Sequence, residues 1–251
     1  MRIGVERTEN QLKSVQFQQN LNVIISHKYR FIFIKSVKTA GTSIEVFLSQ
    51  ICGPDDVITR IKPPHDLHVP RNFRGNFNPI PELLECGVAH PLRLLNHALL
   101  GKRYFSHLTA RQARARTPRR IWNSYHRFCV ERNPWDKTIS HYYMKKFRSK
   151  RQLTLDEYFQ RGSFCINAPR YTARDGRTII VDEVLKYENL NADLQKTFDR
   201  LGIPFNGKLP KLAKTSYRDD RRSYREVLND RQRDIIAKAF TTEIRMHGYQ
   251  F

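Results

Sequence analysis

The chain has 251 residues, enough for one α/β domain with a substantial core and short for two independent ones. Hydrophobic residues make up 39% and charged residues 27%, with 15 Phe and 11 Tyr, which excludes a disordered basic tail. Against 24 Asp and Glu stand 45 Lys and Arg, and a net charge of +21 attracts polyanions; charge alone favours nucleic acid but does not separate it from an anionic cofactor or acceptor.

Cys52, Cys86, Cys129 and Cys165 form no CxxC pair, so free thiols in a reducing compartment are expected rather than a zinc site or a disulfide framework. The first twenty residues hold no apolar signal-peptide core. No stretch approaches the ~18 apolar residues of a membrane span. The expectation is a cytoplasmic chain with no membrane span.

Arg30 to Ser36, RFIFIKS, reads as a buried strand, and the following KTAGTSIEVFLSQI turns through Gly41 into a helix. Between Gly53 and Pro91 six prolines predict sparse regular structure and a surface insertion. Arg103 to His107 is a second predicted strand, with Thr109 capping a short helix that ends before Pro118. His126 to Glu131 is a third. It enters a helix capped by Asn133, opened by Pro134, and striped by Trp135, Ile139, Tyr143 and Phe147. Ile179 to Tyr187 is a further strand region, followed by a helix carrying Leu190, Leu194, Phe198 and Leu201 and ended by Gly202 and Pro204. The tail from Tyr224 to His247 is helical and stops at Gly248, and the charges at Asp219 to Arg222 read as a solvated helix start. This alternation predicts a single α/β domain over 1–251, with a mainly parallel central sheet flanked by helices and ligands at the carboxyl ends of the strands.

Two motifs carry chemistry. Lys38-Thr39-Ala40-Gly41-Thr42-Ser43 lies between strand and helix, so backbone N–H groups and the positive helix end converge where Lys38 adds a full charge and Thr42 and Ser43 add hydroxyls. Alone, the loop weighs evenly between an anion site and an ordinary strand-to-helix turn. A nucleotide triphosphatase would place lysine at the end of its glycine loop; here lysine opens it, so that signature is absent. Further on, RNPWDKTIS sets Arg132 at a strand end and Ser140 about two turns into the next helix, where the two can share one phosphate.

The two motifs together resemble the carbohydrate-type sulfotransferases that use 3′-phosphoadenosine 5′-phosphosulfate (PAPS), marked by P-K-T-[AG]-[GS]-T-[ST] and a later R-N-P-x-[DE]-R-x-x-S. Here Val37 stands for the family's proline and Lys137 for its second arginine. Weaker matching runs through VLKYENL, LGIP, LPKLAKTSYR and HGYQF, and leaves the 53–91 insertion unmatched. The resemblance implies a P-loop-like sulfotransferase fold and transfer of a sulfuryl group to a hydroxyl or amine, with a carbohydrate as the expected acceptor. It implies that Lys38 to Ser43 hold the 5′-phosphosulfate and that Arg132 and Ser140 hold the 3′-phosphate. From the weaker matching, Tyr187 is an adenine neighbour, and Lys214, Thr215 and Ser216 close over the phosphates; core packing and a solvated basic loop explain these four equally well. The insertion would then lie on the acceptor side.

Such transfer needs a cation at the leaving phosphate and a base at the acceptor. Lys38 is the expected cation and His107, at the end of YFSH, the expected base, with His90, His65 and His68 as competitors. No metal is expected, since His65, Asp66 and His68 lack a fourth ligand. Two other readings stand beside this one: a basic nucleic-acid-binding protein, and a nucleotide kinase with a degenerate phosphate loop.

Overall fold

The computed structural model describes residues 23–61, 63–87, 91–105, 108–149, 153–210, 220 and 222–251. Its centre is one five-stranded sheet in the order β3-β1-β2-β4-β5, formed by Val57–Ile58, Val23–Ser26, Phe31–Ile34, His126–Glu131 and Glu183–Lys186. β2 pairs with β4, and β4 with β5, in parallel, whereas β1 runs antiparallel to both β2 and β3. The sheet is therefore mixed, correcting the expectation of a mainly parallel one. β1 was absent from the sequence reading. It forms a hairpin with β2 whose turn ends at Arg30, a non-glycine residue with φ 54°.

Asp56, just before β3, fastens that turn: its carboxylate accepts from Ser26 Oγ and Gly53 N, both at 2.8 Å, and from His27 N at 2.6 Å. Burial alone would raise the Asp56 pKa, but the hydrogen bonds from Ser26, Gly53, His27 and Lys28 outweigh it and hold the carboxyl below its usual range.

Alternate residues of the strands feed two cores, as a sheet covered on both faces requires. Val23, Ile25, Ile32, Ile34 and Cys129 join Tyr104, Leu108, Trp122 and Tyr171 on one face. Ile24, Phe31, Phe33, Phe128 and Val130 meet Ile44, Leu48, Leu194 and Phe198 on the other. A third cluster packs the Pro134–Arg148 helix, through Trp135, Ile139 and Tyr143, on the C-terminal helices through Ile236 and Phe240. Phe147, predicted on the same stripe, is exposed.

The expected strand at 103–107 is not one where it is described: residues 103–105 are irregular, and Tyr104 is held by its N–H to Phe73 O at 2.9 Å and its hydroxyl 3.2 Å from Thr117 Oγ1. The 53–91 stretch is more ordered than its prolines suggested. Besides β3 it holds the Ile80–Cys86 helix, and Pro91 opens the Pro91–Leu99 helix. Pro81 sits in the first turn of its helix, where the missing N–H costs nothing. The tail divides into three helices, Tyr224–Val227, Asp230–Ala239 and Thr241–His247, and Gly248 ends the last at φ 65°. No helix among the described residues is long and apolar enough to cross a membrane.

Candidate functional site

The site is built where β2 and β4, parallel neighbours, both end. After Ile34 the chain runs through Lys35 to Ala40 and enters the Gly41–Ile51 helix. Lys38 and Ala40 take left-handed backbone at φ 63° and 57°, which costs a residue with a Cβ on the order of 1 kcal/mol or more. No side chain caps the helix start and its first turn has no acidic residue, so no carboxylate of that turn offsets its positive end; the Ser43 N–H turns back to Ala40 O at 2.9 Å.

The loop is fixed from below by side chains distant in sequence. Asn167 is fully buried and grips Val37 twice, accepting from its N–H at 2.9 Å and donating to its carbonyl at 3.1 Å. Ser36 Oγ donates to Val130 O and lies 2.8 Å from Thr39 Oγ1. Arg132 Nη1 donates to Lys38 O at 3.2 Å, which joins the two motifs directly.

Lys35 lies under the loop. Its ammonium is 2.5 Å from Glu45 Oε2 and donates to Thr42 Oγ1 at 3.1 Å. A Cβ on Gly41 would meet Lys35 Cγ at 2.6 Å, so the close approach that Gly41 permits is to this lysine stem. Lys35 was not singled out in the sequence, where it stands within the predicted buried strand RFIFIKS.

β4 supplies the second half. Glu131 is wholly buried; its Oε1 accepts from Lys137 Nζ at 2.7 Å, Arg132 N at 2.9 Å and Asn167 Nδ2 at 3.2 Å, and its Oε2 from the Tyr171 hydroxyl at 3.0 Å. Four donors on one carboxylate are what a buried charge requires. Lys137, the departure from the family motif, is thus part of the buried framework. Asn133 caps the next helix as expected, accepting from Trp135 N at 3.1 Å and Asp136 N at 3.4 Å. The Arg132 guanidinium is held by Asp136 Oδ2 at 2.7 and 2.9 Å and lies 4.0 Å from the Tyr187 ring centroid.

The structure therefore brings Lys38, Thr39, Ala40, Gly41, Thr42 and Ser43 into one loop and joins it to Arg132, with Tyr187 against the arginine. Ser140 is half-buried on the Pro134–Arg148 helix. Its neighbour His141 is buried and donates to, or accepts from, the Tyr158 hydroxyl at 2.8 Å. Burial, with Lys145, Lys38, Arg148 and Lys137 nearby, pushes the His141 pKa down to about 3, so the imidazole is neutral and the surroundings are strongly cationic.

His107, His90, Lys214, Thr215 and Ser216 lie outside the described residues. His68 is buried with neither ring nitrogen hydrogen-bonded, and burial pushes its pKa down to about 4; His65 Nδ1 accepts from Leu67 N at 3.2 Å. Among the described residues no three His, Cys, Asp or Glu side chains gather as metal ligands. Sequence reasoning missed Lys35, Glu131, Asn167 and Tyr171, each of which acts through a partner remote in sequence or buried against expectation.

Fold and site together define an α/β protein with a mixed five-stranded sheet flanked by helices and a strand-to-helix loop, bonded to Arg132, at the carboxyl edge of its parallel half. A protein of Archaeoglobus fulgidus, described as uncharacterized, is 35% identical over 95 residues, which cover 36% of this chain and 79% of that protein. The chain belongs to one family with it, and the relative's description names no activity. No family model matches the chain, and no solved structure matches it.

Proposed function

We propose that the chain is a sulfotransferase that moves a sulfuryl group from PAPS to a hydroxyl or amine of an acceptor, with a carbohydrate as the expected class. The observation that carries this reading is the direct hydrogen bond from Arg132 to Lys38 O, 3.2 Å long, between two motifs 94 residues apart. A lone strand-to-helix turn would not require a second basic motif fastened to its crest.

The residues present fit the cofactor's two anionic ends. When bound, PAPS supplies the sulfuryl group and carries the 3′-phosphate that distinguishes it from ordinary nucleotides. The uncapped start of the Gly41–Ile51 helix, with Lys38, Thr42 and Ser43, is a donor set for a phosphosulfate. Lys38 would place a compact ammonium where charge develops on the leaving phosphate, and fixed charge of this kind lowers the barrier because it is already oriented. Arg132 and Ser140 would hold the 3′-phosphate, Arg132 being pre-aimed by Asp136, and Tyr187 offers a ring face beside it for the adenine. Lys214, Thr215 and Ser216 remain in the proposal as a covering loop and His107 as the base that takes the acceptor's proton. The 53–91 segment is assigned to the acceptor side.

Thermal unfolding with 3′-phosphoadenosine 5′-phosphate (PAP), 5′-AMP, ATP and a short oligonucleotide tests the reading. At equal concentration the ligand that binds the native state more tightly stabilises it more, so PAP should raise the Tm well above the shift given by 5′-AMP. Equal shifts with PAP and 5′-AMP would remove the 3′-phosphate assignment. A larger shift with ATP or with the oligonucleotide would favour the kinase or nucleic-acid reading.

A further inference from the structure

Large hydrophobic side chains exposed among the described residues are concentrated in one stretch: eight lie between Leu67 and Leu100, and three, Phe147, Ile166 and Ile179, lie elsewhere. Their densest part is the Pro91–Leu99 helix and the residue after it. Leu92, Leu95, Leu99 and Leu100 are 81%, 52%, 77% and 54% exposed. Leu92, Leu95 and Leu99 recur at i, i+3 and i+7 and so share one helix face.

The helix is not loosely attached. Leu94 is buried beneath it, and His97 meets Phe105 edge to face with centroids 4.6 Å apart. The following turn is held by Arg116 Nη1, which donates to Lys102 O at 2.7 Å and Arg103 O at 3.0 Å. A rooted helix with an outward leucine face is a surface made to meet something.

Its charge setting selects the partner. From Gly87 to Val130 the sequence has no Asp or Glu and nine Lys or Arg, of which Arg114, Arg116 and Arg127 are paired with Glu85, Glu82 and Asp182 from outside that stretch. Arg93 and Lys102, at the two ends of the leucine face, are exposed, as are Arg119 and Arg120. A second copy would set a +21 surface against its like. A nucleic acid would answer the arginines but leave the leucines in water. Apolar residues framed by the exposed cations Arg93 and Lys102 match a bilayer interface with acidic headgroups, where leucines enter the acyl boundary and arginine and lysine stay with the phosphates. We infer that the Pro91–Leu99 helix with Leu100 is an interfacial element that seats the protein on the surface of a bilayer containing acidic phospholipids. This inference does not depend on the sulfotransferase reading.

The test is flotation of the full chain with vesicles of phosphatidylcholine alone and of phosphatidylcholine with one quarter phosphatidylglycerol. Binding is expected to the acidic vesicles and not to the neutral ones. The double variant Leu92→Ser, Leu99→Ser should lose at least tenfold in apparent affinity while keeping the parental circular dichroism spectrum and Tm. Should that variant bind acidic vesicles as well as the parent does, attraction would be due to net charge alone and the inference would fail. Failure of the parent to bind either vesicle, or a parental dimer that the leucine variant converts to a monomer, would also overturn it. Leu95→Trp gives an independent readout in an otherwise parental chain. Its fluorescence should shift to the blue on acidic vesicles and be quenched by lipids brominated near the headgroup, and an unshifted spectrum counts against the inference.

Discussion

The loop at the end of β2 and the helical stretch around Leu92 show two ways in which this chain prepares for a partner. Around the loop, strained backbone at Lys38 and Ala40 is held by Asn167 on Val37, by Arg132 on Lys38 O, and by Ser36 on Val130 O, an atom of the sheet. At the other surface the backbone is ordinary helix and the exceptional feature is apolar area left in water. The first arrangement costs strain and buried charge to fix a few polar directions. The second costs solvation and fixes no direction. The difference teaches that positional accuracy at the loop depends on a buried framework, whereas the leucine face is separable from folding.

Substitutions can break that contrast, and the largest effect is expected at Lys137. Lys137→Ala leaves Glu131 and Glu243 buried without their cation, which should cost about 3–5 kcal/mol of unfolding free energy in urea titration. A loss under about 1 kcal/mol would mean the framework is not load-carrying in this sense. Next comes Lys38→Ala, for which single-turnover transfer from saturating PAPS should fall by roughly 100-fold or more. Parental transfer in that variant would remove Lys38 from the chemistry even if PAP still bound.

Acid should loosen both regions, since His141 lies near Lys38 and Lys137 and His97 lies on the Pro91–Leu99 helix. The folded-state pKa of His141 is depressed to about 3 from an ordinary 6.5, so as pH falls through 6.5 the unfolded chain takes up the proton first and stability drops. His68 and His97, each near 4 through burial, act with the same sign. The buried His141 contributes up to about 1.4 kcal/mol per pH unit, or about 1.6 kcal/mol between pH 6.5 and 5, and the more exposed His97 less. His141→Gln should flatten the Tm profile in that window; an unchanged profile would show that His141 titrates normally. Asn167→Ala removes both contacts to Val37, and PAP affinity, measured by calorimetry, should weaken about tenfold, the equivalent of about 1.4 kcal/mol. The smallest effect belongs to Leu84→Ser, an exposed position whose change should stay within about 0.5 kcal/mol in the same urea titration.

What could be read from the sequence follows the range of each signal. The Asn133 cap with Pro134, the Thr109 cap and the Gly202 and Gly248 stops are local, and all stand where expected. The β1–β2 hairpin was missed because its turn holds no glycine; Arg30 takes the positive φ instead. Pro81 was read among the breakers, but it lies in the first turn of a helix. In the site, Lys38 and Arg132 were legible because each belongs to a short motif. Asn167 was not, since its target Val37 is 130 residues away and a single asparagine in an irregular stretch carries no local signal.

The register of β2 on β4 sets Phe33 opposite Phe128, and both strands then run to the same edge. Lys38 and Arg132 are thereby measured off against a common origin, five residues past one phenylalanine and four past the other. The segment between the two strands can grow or shrink without altering that measurement, because lengthening a connection costs only logarithmically in closure entropy. An insertion within either strand, by contrast, turns every side chain beyond it to the opposite face. The architecture therefore permits changes of length in the exposed connections between β2 and β4, outside β3, Asp56 and the core residues Tyr104, Leu108 and Trp122, while allowing almost no drift in the few residues that separate each phenylalanine from its cation.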